Sequence, residues 1–174
     1  QIPYSTLPDG TLLYLEINLT TGRDLWIMAP DGKKTPLRVT PFNEGEARFS
    51  PGLVSGASTT GWIAYTSDES GRREVYVQSY PEAKGRTVVS NGGGSQPRWS
   101  PDGKELFYVT GDAVVAAALR PDGSFDPPRR LFDRSPFLLN DYRFQSYHPA
   151  PDGKRFLMIR RDEGSIPRQL NVIL

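Results

Sequence analysis

Hydrolysis by an activated nucleophile needs a serine, cysteine or threonine within reach of a base that a third group orients. This chain offers little to build that from. Its 174 residues contain no cysteine, one histidine (His148) and no Gly-x-Ser-x-Gly turn, the device that lifts a serine out of a strand. An internal triad is therefore excluded, and the lack of thiols removes disulfides and thiolate metal sites. Asp9, Asp102 and Asp152 each stand between a proline and a glycine, where capping the local backbone accounts for them. Nothing pairs two acids as a glycosidase would. Asp122 and Asp126 share one loop, but their spacing is sparser than the acidic alternation of a calcium loop, so a hairpin turn is the expected role. The chain reads as a protein that is not an enzyme, with no cofactor and no metal.

The elements that would position any site are set by a repeat, the signature to seek first because a period of 40 to 50 residues decides an architecture. Pro97-Arg-Trp-Ser-Pro-Asp-Gly-Lys-Glu-Leu-Phe-Tyr-Val109 returns as Tyr147-His-Pro-Ala-Pro-Asp-Gly-Lys-Arg-Phe-Leu-Met-Ile159 and as Tyr4-Ser-Thr-Leu-Pro-Asp-Gly-Thr-Leu-Leu-Tyr-Leu15. A degenerate copy, Ala47-Arg-Phe-Ser-Pro-Gly52, resumes at Trp62-Ile-Ala-Tyr65 after the insertion Leu53 to Gly61. The anchoring prolines Pro8, Pro51, Pro101 and Pro151 are spaced by 43, 50 and 50 residues. Pro-Asp-Gly is turn chemistry: a fixed φ, a side chain that bonds its own backbone, and a residue that accepts positive φ. Apolar and aromatic runs follow each turn, broken by polar gaps.

The first three copies each predict four strands, and the last predicts three. Inner strands fall near 2–6, 46–50, 96–100 and 143–148, and second strands near 11–17, 61–67, 105–110 and 155–160. Third strands fall near 24–29, 74–80, 113–119 and 168–173, and outer strands near 36–40, 86–90 and 129–133. With 17 glycines and 16 prolines no ten-residue helical pattern survives, so the class is all-β. Sheet modules repeated at this period are the blades of a β-propeller, each covering its neighbour's face. The expectation is one propeller domain over 1–174, with blades at about 1–42, 43–92, 93–140 and 141–174, the last lacking its outer strand. A small closed four-bladed ring and an open fragment that pairs with another copy satisfy that edge about equally well.

On such a scaffold Arg48, Arg98 and His148 share one repeat position, occupied by Ser5 in the first copy. Gathered near a central channel they would form an anion-accepting ring, since guanidinium groups favour carboxylate or phosphate. Strand alternation instead sends most such side chains between blades, the plainer role. The connection Asp133 to Tyr142 carries Arg134, Phe137, Leu138, Leu139 and Tyr142, a mix of cationic and apolar groups that fits an interface anchor and equally a staple between blades. Trp26, Trp62, Trp99, Tyr14, Tyr65, Tyr76, Tyr108 and Phe156 recur at matching positions and read as core packing. Gly92-Gly-Gly94 reads as a flexible connection, not a phosphate cradle.

Lys plus Arg (21) nearly balances Asp plus Glu (20), which disfavours nucleic acid and anionic lipid as partners. The longest apolar runs are strand-length, well short of the roughly 20 residues that cross a bilayer, so no membrane insertion is expected. The opening at Gln1, inside a strand, is expected of a trimmed or processed chain. A cysteine-free composition fits cytoplasm and periplasm alike.

Trp99-Ser-Pro-Asp-Gly103 with Leu106-Phe-Tyr-Val109, and Phe49-Ser-Pro51 with Trp62-Ile-Ala-Tyr-Thr-Ser67 and Glu74-Val-Tyr-Val77, resemble the repeats of the TolB-like propeller family, the PD40 type. Similar repeats cap prolyl-oligopeptidase-like enzymes and form the C-terminal sensor regions of bacterial membrane-anchored Ser/Thr kinases. The tail, Asp152 to Arg161 with Arg168 to Leu174, resembles the last blade of the kinase-attached type. The resemblance implies a bacterial recognition module, periplasmic or extracytoplasmic, that binds a protein partner or small ligand through its loops or channel. Two rival roles are a gating propeller of a peptidase-like hydrolase and a ring-closing assembly element that pairs with another copy. The second repeat lacks the Asp of Pro-Asp-Gly, and family rings usually hold six or more blades, so a larger parent is expected.

Overall fold

Why each copy folds into a sheet is visible at its turn. In the computed structural model, which describes residues 1–53, 61–135, 146–159 and 170–173, the Ser100-Pro-Asp-Gly-Lys104 bend closes on itself. Gly103 N–H donates to the Ser100 carbonyl (2.9 Å) and Ser100 N–H to the Glu105 carbonyl (2.8 Å), while Lys104 N–H donates to Asp102 Oδ1 (3.1 Å). The same wiring recurs at Leu7–Thr11 and Ala150–Arg155, and at two further Pro-Asp-Gly bends, Ala29–Lys33 and Arg120–Ser124. The glycine of each bend has positive φ, which costs a residue without a Cβ little.

Among the described residues the bends separate fifteen strands in four antiparallel sheets. The first blade is β1 (Ile2–Thr6), β2 (Leu12–Asn18), β3 (Gly22–Met28) and β4 (Lys34–Arg38). The second is β5 (Glu44–Phe49), β6 (Gly61–Ser67), β7 (Glu74–Tyr80) and β8 (Arg86–Val88). The third is β9 (Ser95–Trp99), β10 (Glu105–Val109), β11 (Ala113–Ala118) and β12 (Arg129–Asp133), and the fourth β13 (Tyr147–Pro149), β14 (Phe156–Ile159) and β15 (Leu170–Ile173). Strands neighbour in chain order throughout, and the fourth sheet has three strands. The class is all-β, with four propeller-type blades of which the last has no outer strand among the described residues. The insertion after Leu53 lies largely outside the described residues, at 54–60.

The inner strands are not regular. Pairing shifts register between Pro3 and Ser5 in β1 and between Gly45 and Arg48 in β5, the mark of a bulge that bends the strand. Glu46 (φ 54°) and Gln96 (φ 53°), 50 residues apart, both take the left-handed region without being glycine.

Residues 1–97 and 98–174 form two compact units, the boundary falling within β9. In the first, Leu13, Leu25, Ala47, Phe49, Leu53, Ile63, Tyr65 and Tyr76 build one buried core with Leu7. Tyr65 and Tyr76 stack at 5.7 Å between centroids. In the second, Phe107, Val109, Val114, Ala116, Tyr147, Phe156 and Met158 form the core, and Phe156 meets Phe107 edge-on at 5.0 Å. Core packing is what six of the eight recurrent aromatics do, since Tyr14, Tyr65, Tyr76, Tyr108, Trp99 and Phe156 are buried, while Trp26 and Trp62 are only half-buried.

Candidate functional site

The charged residues that the repeat logic passes over are the ones the fold buries. At the end of the first unit where β2 turns into β3 and β6 into β7, Asp24, Glu44, Glu46 and Glu74 are each at most 5% exposed. A buried carboxylate needs donors, and each of these organises a loop. Glu74, at the start of β7, accepts from Gly93 N–H (3.0 and 3.1 Å), from Arg72 Nε (2.7 Å) and from the Ser90 hydroxyl. Ser90 Oγ in turn accepts from Val75 N–H (2.7 Å), and Gly94 N–H donates to the Arg73 carbonyl (2.9 Å). The Gly92-Gly-Gly94 connection is therefore fastened to the start of β7. A Cβ at Gly94 would stand 2.7 Å from Ser90 Cβ, so the close approach requires glycine there.

Glu46 uses its bulge to face the next inner strand. Its Oε2 accepts from Gln96 N–H (2.9 Å) and lies 3.7 Å from Arg73 Nη1. Beside it, Tyr4 Oη would be 3.2 Å from any Cβ at Gly45. Burial raises the Tyr4 phenol above its ordinary value of 10.0, against the Glu46 backbone N–H and the Arg23 and Arg73 cations, which pull it down. Two strained backbone positions held by a carboxylate and a cation form a rigid polar cluster, and strain of this kind gathers at functional sites.

A second cluster lies around Glu44, whose Oε1 accepts from Thr40 (2.7 Å) and Ser67 (3.2 Å) hydroxyls. Burial holds the Glu44 carboxyl above its ordinary value despite those donors and Arg38, and nearby Asp24 adds to the rise. Glu44 Oε2, Asp24 Oδ1 and Arg38 Nε are buried with no hydrogen-bond partner among the described residues. Arg38 pairs with Glu69 (3.3 Å), which Arg86 also engages, and Asn43 donates twice to Asp68 (2.8 and 2.9 Å). Among the described residues no group of three or more His, Cys, Asp or Glu side chains could hold a metal ion. Among the described residues no helix is long and apolar enough to cross a membrane.

The residues singled out from the sequence sit as follows. Arg48 is half-buried, with Nη1 donating to the carbonyls of Tyr4 and Ala47 (2.8 Å for the latter) and its guanidinium 5.6 Å from the Tyr4 ring. Arg98 is 9% exposed. His148 is exposed, its Nδ1 2.7 Å from the Pro149 carbonyl oxygen. Arg48 belongs to the first unit, Arg98 and His148 to the second. Arg134 Nη1 donates to the Gly111 carbonyl (2.9 Å). Phe137 and Tyr142 lie outside the described residues. Asp122 caps Ser124 (2.9 Å) and Asp126 accepts from Arg120 (2.7 Å), as a hairpin requires.

Sequence reasoning missed Glu46, Gln96, Asp24 and Glu74. A signal existed: Glu46 and Gln96 each stand five residues before the motif proline, and Asp24 and Glu74 each precede the apolar run of a third strand.

No family model matches the chain, and no curated protein matches it. Solved structures do. A TolB crystal structure from Acinetobacter baumannii superposes with a TM-score of 0.62 at 18% identity, over 99% of this chain and 39% of that one. This chain has a TolB-like propeller fold. A structure from Agrobacterium tumefaciens, described as a TolB, matches with a TM-score of 0.56 at 21% identity, over 75% of this chain and 48% of its own. The chain thus spans less than half the length of either TolB structure, and the likeness covers the blade architecture described above.

Proposed function

We propose that this chain is a non-catalytic recognition module that binds a protein segment at the hairpin end of its first two blades. The observation that carries this reading is the pair of strained, non-glycine positions Glu46 and Gln96, tied together and faced by Arg73. A rigid scaffold holding acid, cation and phenol in one cluster offers polar anchors without the loop-ordering cost of binding. The TolB-like fold supports a protein partner over a small ligand, and an extracytoplasmic setting in a bacterium fits it.

Selection of peptides from a random library against the immobilised chain tests the reading. Selected peptides are expected to bind saturably and to lose about tenfold or more in affinity, roughly 1.4 kcal/mol, on Glu46→Ala or Arg73→Ala. Arg130→Ala, in the second unit, is expected to leave affinity unchanged. Peptides indifferent to both cluster substitutions overturn it. Light scattering tests the assembly role separately, a concentration-independent monomer speaking against pairing with another copy.

A further inference from the structure

Six positions in the described residues place an aspartate or asparagine directly before a glycine: Asp9, Asp31, Asn91, Asp102, Asp122 and Asp152. Each is a chemical liability in principle. The backbone nitrogen of a glycine, unhindered by a Cβ, can attack the preceding side-chain carbonyl carbon and close a five-membered imide. The fold treats the six very differently.

In the five Asp-Gly bends the attacking nitrogen is already committed. Gly10, Gly32, Gly103, Gly123 and Gly153 each donate their N–H to the carbonyl three residues back, at 2.9 to 3.0 Å. The aspartates are committed too, each accepting from the N–H two residues on, at 2.9 to 3.1 Å. An ionised carboxylate is moreover a poor electrophile. Asp102, Asp122 and Asp152 are held below their ordinary value, chiefly by the Ser100 hydroxyl, the Ser124 hydroxyl and the Lys154 backbone N–H respectively.

Asn91-Gly92 has neither protection. Both residues are exposed, and among the described residues neither the Asn91 amide nor Gly92 N–H has a hydrogen-bond partner. Gly92 stands at φ 88°. The order in this connection begins one residue later, where Gly93 N–H meets Glu74. From this contrast we infer that, among the described residues, Asn91 is the site of spontaneous deamidation, converting in the native fold while the five Asp-Gly bends do not.

The step balances with water alone. Gly92 N bonds to Asn91 Cγ, the Cγ–Nδ2 bond breaks, and the amide nitrogen leaves as ammonia with the displaced proton. Water then opens the imide at either carbonyl, giving an aspartyl or an isoaspartyl residue. The isoaspartyl product inserts one carbon into the main chain and adds a negative charge between Ser90 and Gly93, the two residues that fasten this connection to buried Glu74. Both changes loosen the β8 to β9 connection.

The test is incubation of the folded protein in mildly alkaline buffer, followed by separation on charge and peptide mapping that distinguishes aspartyl from isoaspartyl. The expected result is a growing acidic form confined to Asn91, with Asn18, Asn43 and the five Asp-Gly bends unchanged. That form should fail to appear in Asn91→Gln, which closes a five-membered ring no longer. Conversion of Asn91 only after denaturation, or isomerisation of the Asp-Gly bends as fast as Asn91 converts, overturns the inference. Asn91→Asp adds the charge without the extra carbon. A thermal midpoint of the isoaspartyl form equal to that of Asn91→Asp overturns the loosening of the connection.

Discussion

The second and third blades share their strand order, the left-handed residue of the inner strand and their serine-proline bend, yet they differ in where they place most of their charge. In the second blade β7 opens on buried Glu74, which holds the loop that leaves the blade. The third blade has Ala113 at the corresponding place, 1% exposed, and β11 continues as Val-Val-Ala-Ala-Ala. Apart from Arg98 on β9, 9% exposed, its charges lie outside, in the pairs Arg130 with Asp112 and Asp133, Arg129 with Glu105, and Arg120 with Asp126. One blade is apolar inside and salted at the rim; the other spends buried hydrogen bonds on positioning loops. Buried polar networks gain geometry more than stability, so the contrast separates a supporting blade from a presenting one.

The sharpest way to break that contrast is to hollow the supporting blade. Phe107→Ala removes a ring that is 1% exposed and packed on Phe156, and is expected to cost about 3–5 kcal/mol by urea denaturation. A loss no larger than that of a surface substitution would deny the third blade its supporting role.

Next in size is Glu74→Ala, which orphans Gly93 N–H and the Ser90 hydroxyl. It is expected to cost about 2–4 kcal/mol, with Glu74→Gln recovering part of that, because an unpartnered buried donor bears its full desolvation penalty. Hydrogen exchange should show the 90–94 segment opening first. If the midpoint falls without faster exchange there, Glu74 is a core residue and not a fastener.

A smaller effect reads the sign of buried charge. Burial sets the folded Glu44 pKa above its ordinary 4.5, so the folded state holds this proton more tightly than the unfolded chain does. The contribution is intact below 4.5 and is lost as pH rises through the raised folded value. Glu44→Gln is therefore expected to gain on the parent as pH climbs through that window, measured by urea midpoints across pH. A gap that closes with rising pH would place Glu44 among the stabilising anions. Smallest of all, Arg130→Ala should leave the midpoint unmoved, since exposed ion pairs contribute little.

The strand map was readable because its signals are local. Pro-Asp-Gly fixes where a strand must end, and the aromatic at each second strand marks the buried face, so β2, β6, β10 and β14 fall within two residues of their expected limits. The buried acids were not readable in the same way. Glu74 at the mouth of a strand looks like any solvated polar residue, and only the approach of Gly93 and Ser90 from the next connection makes it a hub. Glu46 hides further, because left-handed backbone is announced by glycine and here the residue is not one. Gly92-Gly-Gly94 misleads for the converse reason: its composition promises slack, and its nitrogens are anchored from Gly93 onward.

The Pro-Asp-Gly bend recurs five times, and every copy closes with bonds among its own few residues. Such a joint is indifferent to what lies on either side of it. A stretch of gene copied from one bend to the next would arrive with both fasteners intact, which makes lengthening the array by duplication cheap and makes the bends natural splice points for anyone grafting one blade onto another.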